Sequence, residues 1–184
     1  MKKYKRIEKN NSLIRIKSEK RQELCYRELN YINEGRVKWF LPVTVEKKKD
    51  YYILEYNFTQ YVTLDEFLSL NVINKKIFVR IVTKIIDMYN WVEENHFNRN
   101  IIYQDLFNIM IDTNKLEPRF IYVALQPEDL GFDVKSLFMN ILQNSVFDSS
   151  ENLDFLDEYL NILEKNIVVS LYDIKNLLSE SKEK

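Results

Sequence analysis

The stretch YYILEYNFTQYVTLDEFL, residues 51–68, runs from a strand to the start of a helix without a glycine or a proline. Its first part, YYILEYN, is rich in aromatic residues that favour a strand. Thr63 and Glu66 have the spacing of a capping box, in which the two side chains satisfy free backbone N–H groups at a helix start. The stretch therefore predicts a strand at 51–57 that leads into a short helix at 64–70.

The residues upstream of this stretch predict two more strands and a helix. WFLPVTVE, residues 39–46, is separated from 51–57 by the polar EKKKD, so the two segments are typical of an antiparallel hairpin. Pro42 places the first of these strands at an edge or at a bulge. Residues 13–17 predict a short strand, and apolar residues at helical spacing predict a helix over 19–34.

The residues downstream predict mainly helices. Asn74 begins a long helix over 74–95, because apolar residues recur on one face for five turns: Ile77, Phe78, Ile81, Ile85, Met88, Tyr89 and Val92. A second hairpin at 107–112 and 119–124 follows, and then helices at about 133–146, 152–165 and 170–180. Strands come early and helices late, which predicts a single α+β domain over 1–184 with a small β-rich lobe (1–60) and a helical lobe (61–184).

Composition excludes several classes of site. The chain has two glycines, Gly35 and Gly131, so a glycine-rich phosphate loop cannot be written from it. One cysteine and one histidine cannot form a closed zinc site, and we predict no metal and no cofactor. Cys25 lies among apolar residues and is interpreted as a small core residue. No window approaches 18 apolar residues, so the sequence predicts no transmembrane segment in this chain.

The charge is unevenly distributed although the net charge is only −1. Residues 1–20 carry eight Lys and Arg against two Glu, and residues 125–184 carry twelve Asp and Glu against five Lys. One interpretation is solvated faces with some attraction between the two ends. The other is a basic arm that binds nucleic acid or an anionic membrane. The sequence contains no nucleic-acid-binding motif that would support nucleic acid as the partner.

The order of the predicted elements resembles the protein-kinase-like fold. Residues 51–68 look like the last small-lobe strand, the hinge and the first large-lobe helix of a kinase. The helix at 74–95 is similar to the buried large-lobe helix, and NIIYQDLFNIMID, residues 100–112, is similar to the catalytic loop and the strand after it. The resemblance implies a two-lobed fold with a β-hairpin inserted among the helices.

The kinase motifs are present only in degenerate form. Tyr-Gln-Asp at 103–105 stands where His-Arg-Asp would, and Asn108 follows Asp105 by three positions where the motif has five. Asp129 opens an Asp-Leu-Gly run that resembles Asp-Phe-Gly but lies beyond the end of the strand FIYVAL. A tight turn between helix and strand is the alternative interpretation of Asp105 and Asn108. We therefore predict no catalytic residue and no enzyme activity.

The helix glutamate of a kinase has two candidates here. Glu23 and Glu28 both lie in the predicted helix, but no strand like Val-Ala-Ile-Lys precedes that helix to supply the partner lysine. An atypical phosphotransferase that uses Asp105 and Asp129 is one alternative function, and an unrelated α+β regulatory or structural protein is another.

A closer resemblance is to the catalytically silent kinase-like domains of the EssB/YukC type. It is carried by residues 51–68, the helix at 74–95, IIYQDLFNIMIDTNKLEPRFIYVALQP (101–127) and DVKSLFMNIL (133–142). Such domains are cytoplasmic parts of the type VII secretion apparatus of Gram-positive bacteria, with related domains in Firmicutes. The resemblance implies a cytoplasmic pseudokinase module that binds a protein partner, with a membrane-associated complex as one option and with no nucleic acid.

Overall fold

The computed structural model describes residues 5–9, 12–18, 22–126, 131, 133–150, 153–165 and 169–180. The strands are β1 (Lys5–Lys9), β2 (Leu13–Lys17), β3 (Glu23–Leu24), β4 (Val43–Lys47), β5 (Tyr52–Asn57), β6 (Val62–Thr63), β7 (Val72–Ile73), β8 (Ile109–Asp112), β9 (Glu117–Phe120), β10 (Leu125–Gln126) and β11 (Val146–Phe147). The α-helices are α1 (Tyr26–Asn33), α2 (Leu64–Leu70), α3 (Lys75–Glu94), α4 (Val134–Asn144), α5 (Asp154–Lys165) and α6 (Leu171–Glu180).

The small lobe is a four-stranded antiparallel sheet in the order β1-β2-β5-β4, with α1 packed against it. The predicted hairpin is present, but its first strand begins at Val43 instead of Trp39. Pro42 therefore lies directly before β4, which is an edge strand. The Asn33 side chain donates to the Val43 carbonyl (2.8 Å) and accepts from the Val43 N–H (3.0 Å). This amide ties the end of α1 to the sheet edge. The outer strand β1 was not predicted.

The predicted helix over 19–34 is wrong at its start. Glu23 and Leu24 form a short strand, and the helix begins only at Tyr26, after the buried Cys25. The physical reason lies about 100 residues away, because Leu24 pairs with Leu125 in the antiparallel pair β3·β10. Leu24 and Cys25 matched the helical spacing, but their backbone groups are used by this distant partner.

The long helix α3 is confirmed and has more buried residues than any other described helix. Asn74 caps it, with its side-chain oxygen accepting from the Ile77 N–H at 2.8 Å. Nine of its 20 residues are buried: Phe78, Val79, Ile81, Val82, Ile85, Ile86, Met88, Tyr89 and Val92. The capping box of α2 is likewise present on one side, where Thr63 accepts from the Glu66 N–H at 3.1 Å.

The second hairpin exists, but its second strand is earlier than predicted. Strand β9 covers Glu117–Phe120, and Pro118 lies inside it opposite Ile111 rather than in the turn. The Asp112 side chain accepts from two backbone N–H groups of the turn, and Leu116 closes it with a φ of 53°. The chain after Phe120 therefore leaves the hairpin early and pairs with other elements.

The late helices α4, α5 and α6 lie within their predicted ranges and pack on α2, on α3 and on one another. Within the described ranges, no helix has both the length and the apolar character that crossing a bilayer requires.

Candidate functional site

The Asp105 loop, residues 104–108, lies between a 3₁₀ turn at Arg99–Ile101 and strand β8. The Asn108 N–H donates to the Asp105 carbonyl at 3.0 Å, and the Asn108 side-chain amide donates to the Asp105 carboxylate. The structure thus brings Asp105 and Asn108 together as the two ends of one hydrogen-bonded turn. This geometry favours the interpretation of the two residues as a turn, and their lack of a catalytic role stays a prediction.

In phosphoryl transfer, an aspartate and an asparagine of this kind contact the substrate and the metal rather than each other. The aspartate must accept a proton from the acceptor hydroxyl, and the asparagine must present its oxygen to Mg²⁺. Here the nitrogen of the buried Asn108 amide faces the Asp105 carboxylate. The carboxylate would have to exchange this partner before it could act on a substrate.

Gln104 is the residue of this loop that sequence reasoning missed. Its side-chain nitrogen donates to the Gly131 carbonyl at 3.2 Å, and its side-chain oxygen accepts from the Asp133 N–H at 3.1 Å. Asp133 in turn caps α4 by accepting from the Ser136 N–H at 2.9 Å. The Ser136 hydrogen bonds lower the pKa of Asp133. Gln104 therefore fixes the Asp105 loop to the start of α4.

Asp129, the third degenerate kinase position, lies outside the described residues. Gly131 is described and has a φ of +77°, a left-handed conformation that glycine adopts without strain. No cluster of three or more histidine, cysteine, aspartate or glutamate side chains suited to a metal ion occurs among the residues that the structure describes.

The two lobes meet along residues 120–126, which we call the junction segment. Phe120 donates to the Trp39 carbonyl (2.8 Å) and accepts from the Leu41 N–H (3.0 Å). The Ala124 carbonyl accepts from the Cys25 N–H at 3.0 Å, and β10 then pairs with β3. Residues 120–125 are all fully buried. The junction segment therefore joins small-lobe and helical-lobe backbone in one buried hydrogen-bonded array.

The Asp105 loop is connected to this array on its N-terminal side. The Tyr103 N–H donates to the Ile121 carbonyl at 3.1 Å, and the Val123 N–H donates to the Ile101 carbonyl at 2.8 Å. The junction segment thus holds the segment that leads into the loop.

A buried tyrosine pair adds side-chain bonds to the junction. Tyr56, on β5, donates its hydroxyl to the Tyr122 carbonyl at 2.7 Å. The Tyr122 hydroxyl accepts from the Asn98 N–H at 3.2 Å. Burial raises the pKa of Tyr122 well above its usual value, so the phenol stays neutral. The pair links the small-lobe sheet to the segment that follows α3.

Aromatic rings fill the space beside the tyrosine pair. The Phe40 ring lies 4.9 Å from that of Tyr122 and 6.0 Å from that of Phe97, which is 5.0 Å from Trp91. Phe97 is aimed inward because His96 takes a φ of 56° at the end of α3 and lets the chain reverse there. Aromatic rings from both lobes therefore pack against one another at the junction.

The candidate helix glutamates occupy different environments. Glu23 is exposed on β3, outside the helix, whereas Glu28 lies on α1 and pairs with Arg27 at 2.9 Å. Arg27 also donates to the His96 carbonyl at 2.9 Å. The described partner of Glu28 is therefore an arginine of its own helix that reaches the end of α3.

Cys25 is buried at the junction, as its apolar neighbours predicted. Burial, with the Glu28 carboxylate nearby, raises the pKa of the Cys25 thiol to about 11. A thiol with such a pKa is almost entirely protonated at neutral pH and is a poor nucleophile.

Comparison with known proteins supports the fold through structure alone, since neither a family model nor a curated protein matches the chain. The structure is similar to the EssB cytoplasmic fragment of Geobacillus thermodenitrificans, with a TM-score of 0.55 and 14% identity over 98% of this chain and 88% of the other. It is also similar to Rad53 1-466 in complex with AMP-PNP, with a TM-score of 0.50 and 12% identity over 96% of this chain and 60% of the other.

An EssB cytoplasmic fragment from Staphylococcus aureus matches with a TM-score of 0.48 and 14% identity, over 88% of this chain and 98% of the other. The chain has an α+β, two-lobed, kinase-like fold. The predicted resemblance to the EssB cytoplasmic domain is confirmed at the level of the fold.

Proposed function

We propose that this chain is a catalytically silent kinase-like module that binds a protein partner, in or related to a type VII secretion assembly. The observation that supports this most is the junction segment, which is buried and hydrogen-bonded to both lobes. Phosphoryl transfer depends on placing metal, phosphates and acceptor together between lobes, with little covalent help from the protein. In this chain the backbone N–H and C=O groups of the junction segment form hydrogen bonds with backbone groups of the small lobe, so these groups are already occupied.

Two further observations support a silent module. Asp105 and Asn108 are hydrogen-bonded to each other. The two glycines are separated by 96 positions, so no glycine-rich loop is present to cover phosphates. The kinase-like fold would then serve as a scaffold whose surface is used for binding.

The secretion context rests on likeness to a named neighbour. A structure described as an EssB cytoplasmic fragment shares this fold over nearly all of the present chain. Fold alone does not fix function, so the secretion context and a cytoplasmic location are parts of the proposal. The kinase comparison is compatible with a phosphotransferase, and a phosphotransfer assay separates the two functions.

The activity test compares wild type with Asp105→Ala and Asp129→Ala in a phosphotransfer assay with ATP and Mg²⁺. We expect no transfer in any of the three proteins and no nucleotide-dependent rise in melting temperature. A ligand that binds only the folded state raises stability by RT ln(1 + [L]/Kd), so a large rise would reveal a nucleotide site. Transfer by wild type that both variants lose would overturn the proposal.

The binding test uses an exposed aromatic residue of the Asp105 loop. Phe107 is 56% exposed, and aromatic side chains are frequent anchors of protein interfaces. We expect Phe107→Asp to weaken binding to a type VII secretion component of the source organism at least tenfold, as measured by titration calorimetry. Tyr172→Asp is the matched control, because Tyr172 is also exposed but lies on α6. Failure of every such component to bind wild type would overturn the secretion context.

A further inference from the structure

The two lobes carry opposite charge. Residues 1–60 contain 15 Lys and Arg against 8 Asp and Glu, whereas residues 61–184 contain 12 against 20. The net charges are therefore +7 and −8, although the whole chain is close to neutral. A charge separation of this kind gives the molecule a dipole that orients it toward an anionic surface.

Lysines cluster at one end of the small-lobe sheet, and we call Lys17, Lys47, Lys48 and Lys49 the lysine tip. Lys47 is opposite Tyr52 and Lys17 is opposite Ile53, at the start of β5. The other end of β5, at Asn57, leads into the helical lobe. The lysine tip therefore lies at the end of the sheet opposite to the one at which β5 leads into the helical lobe.

The carboxylates near the lysine tip neutralise it only in part. Glu46 forms an ion pair with Lys48, and Asp50 lies in the same turn. Lys47 and Lys49 are exposed. Among the described residues, neither forms an ion pair with an Asp or Glu of the helical lobe. An open cleft of about 190 Å³ runs beside the turn, lined by Gln22 and residues 47–52. It is large enough to admit a phosphate group.

The composition of the lysine tip favours an anionic bilayer over nucleic acid. Single-stranded nucleic acid is bound by aromatic rings on which bases stack. The Lys17 ammonium lies over one face of the Tyr51 ring, 3.8 Å from the ring centre, so a base cannot stack on that face. All four cations of the lysine tip are lysines, which act as point charges, whereas arginine binds phosphate through two parallel hydrogen bonds. Point charges suit the diffuse negative potential of a bilayer.

We infer that the lysine tip binds the anionic surface of a lipid bilayer, with the helical lobe directed away from it. The acidic helical lobe would be repelled by the same surface, so attraction and repulsion favour one orientation. This inference does not depend on the kinase resemblance or on a protein partner. Its failure would leave the proposed protein-binding function untouched.

The test is co-sedimentation of the full chain with phosphatidylcholine vesicles that contain or lack phosphatidylserine. We expect wild type to bind only the vesicles with phosphatidylserine, and to dissociate at high salt because ions screen such attraction. Each lysine near an anionic surface contributes roughly a fivefold factor in binding, so Lys47→Gln/Lys48→Gln/Lys49→Gln should bind about 100-fold more weakly.

The matched control is Lys76→Gln/Lys115→Gln/Lys165→Gln, which removes the same charge from exposed lysines of the helical lobe. This control should bind vesicles at least as well as wild type. Circular dichroism of both triple variants checks that they are folded. Equal losses in the two triple variants, no binding by wild type, or binding of single-stranded RNA in preference to vesicles would each overturn the inference.

Discussion

The junction segment and the Asp105 loop flank the same hairpin, β8–β9, but different forces hold them. Residues 120–125 are fully buried, and backbone bonds join them to both lobes. The Asp105 loop has a half-exposed surface, and side-chain amides hold it in place. The contrast predicts that stability is concentrated where the lobes meet and that the Asp105 loop contributes little to folding.

The largest effect should come from truncating the junction segment. Phe120→Ala removes a fully buried ring that packs near Tyr89, and we expect a loss of about 3–5 kcal/mol in the free energy of unfolding, as for other buried phenylalanines. Phe107→Ala makes the same chemical change in the Asp105 loop and should cost less than about 1 kcal/mol. Urea unfolding of both variants measures the difference, and similar losses would contradict the contrast.

The next effect is a pH dependence at the junction. The pKa of Cys25 is about 11 in the folded chain, against 9.0 for an ordinary thiol, so the unfolded chain loses this proton first. Stability from this group is complete below pH 9 and is lost as the pH rises from 9 toward 11, by about 3 kcal/mol in all. Cys25→Ala should show a shallower decline over that interval in urea unfolding. Parallel pH profiles for the two proteins would refute the prediction.

A smaller effect is expected from one hydroxyl. Tyr56→Phe removes the bond to the Tyr122 carbonyl and leaves that buried oxygen with one partner fewer, at a cost of about 1–2 kcal/mol. Tyr159→Phe is the control, because no hydrogen-bond partner is found for the buried Tyr159 hydroxyl among the described residues. The control should be neutral or stabilised in thermal unfolding. An equal loss of stability in Tyr159→Phe and Tyr56→Phe would show that the hydrogen bond from Tyr56 to Tyr122 does not stabilise the fold.

The sequence predicted best what depends on local pattern. Helix α3 has five turns of apolar periodicity and a capping asparagine, so every local preference agrees with its burial. The start of α1 could not be found in this way. Leu24 and Cys25 fit a helix locally, but β10 and Ala124 use their backbone groups from about 100 residues away. The sequence around residue 24 gives no signal for its pairing with β10.

The candidate site shows the same limit. The short spacing between Asp105 and Asn108 indicated a turn, because only one or two residues can separate hydrogen-bonded ends of a tight turn. The role of Gln104 depends on Gly131 and Asp133, which are 27 and 29 residues away in the chain. A glutamine in a loop gives no sequence signal for such a contact.

The smallest effect should come from the Asp105 loop itself. Asp105→Ala removes the acceptor of the Asn108 side-chain bond but keeps the backbone bond between the same residues, so we expect a loss of about 0.5–1 kcal/mol in urea unfolding. Asp105→Asn keeps a side-chain oxygen at this position and should recover most of that loss. Recovery by asparagine would show that the turn uses the side-chain oxygen of residue 105 as a hydrogen-bond acceptor and does not need its charge. A cost for Asp105→Ala as large as that of Phe120→Ala would show that the loop and the junction fold as one unit.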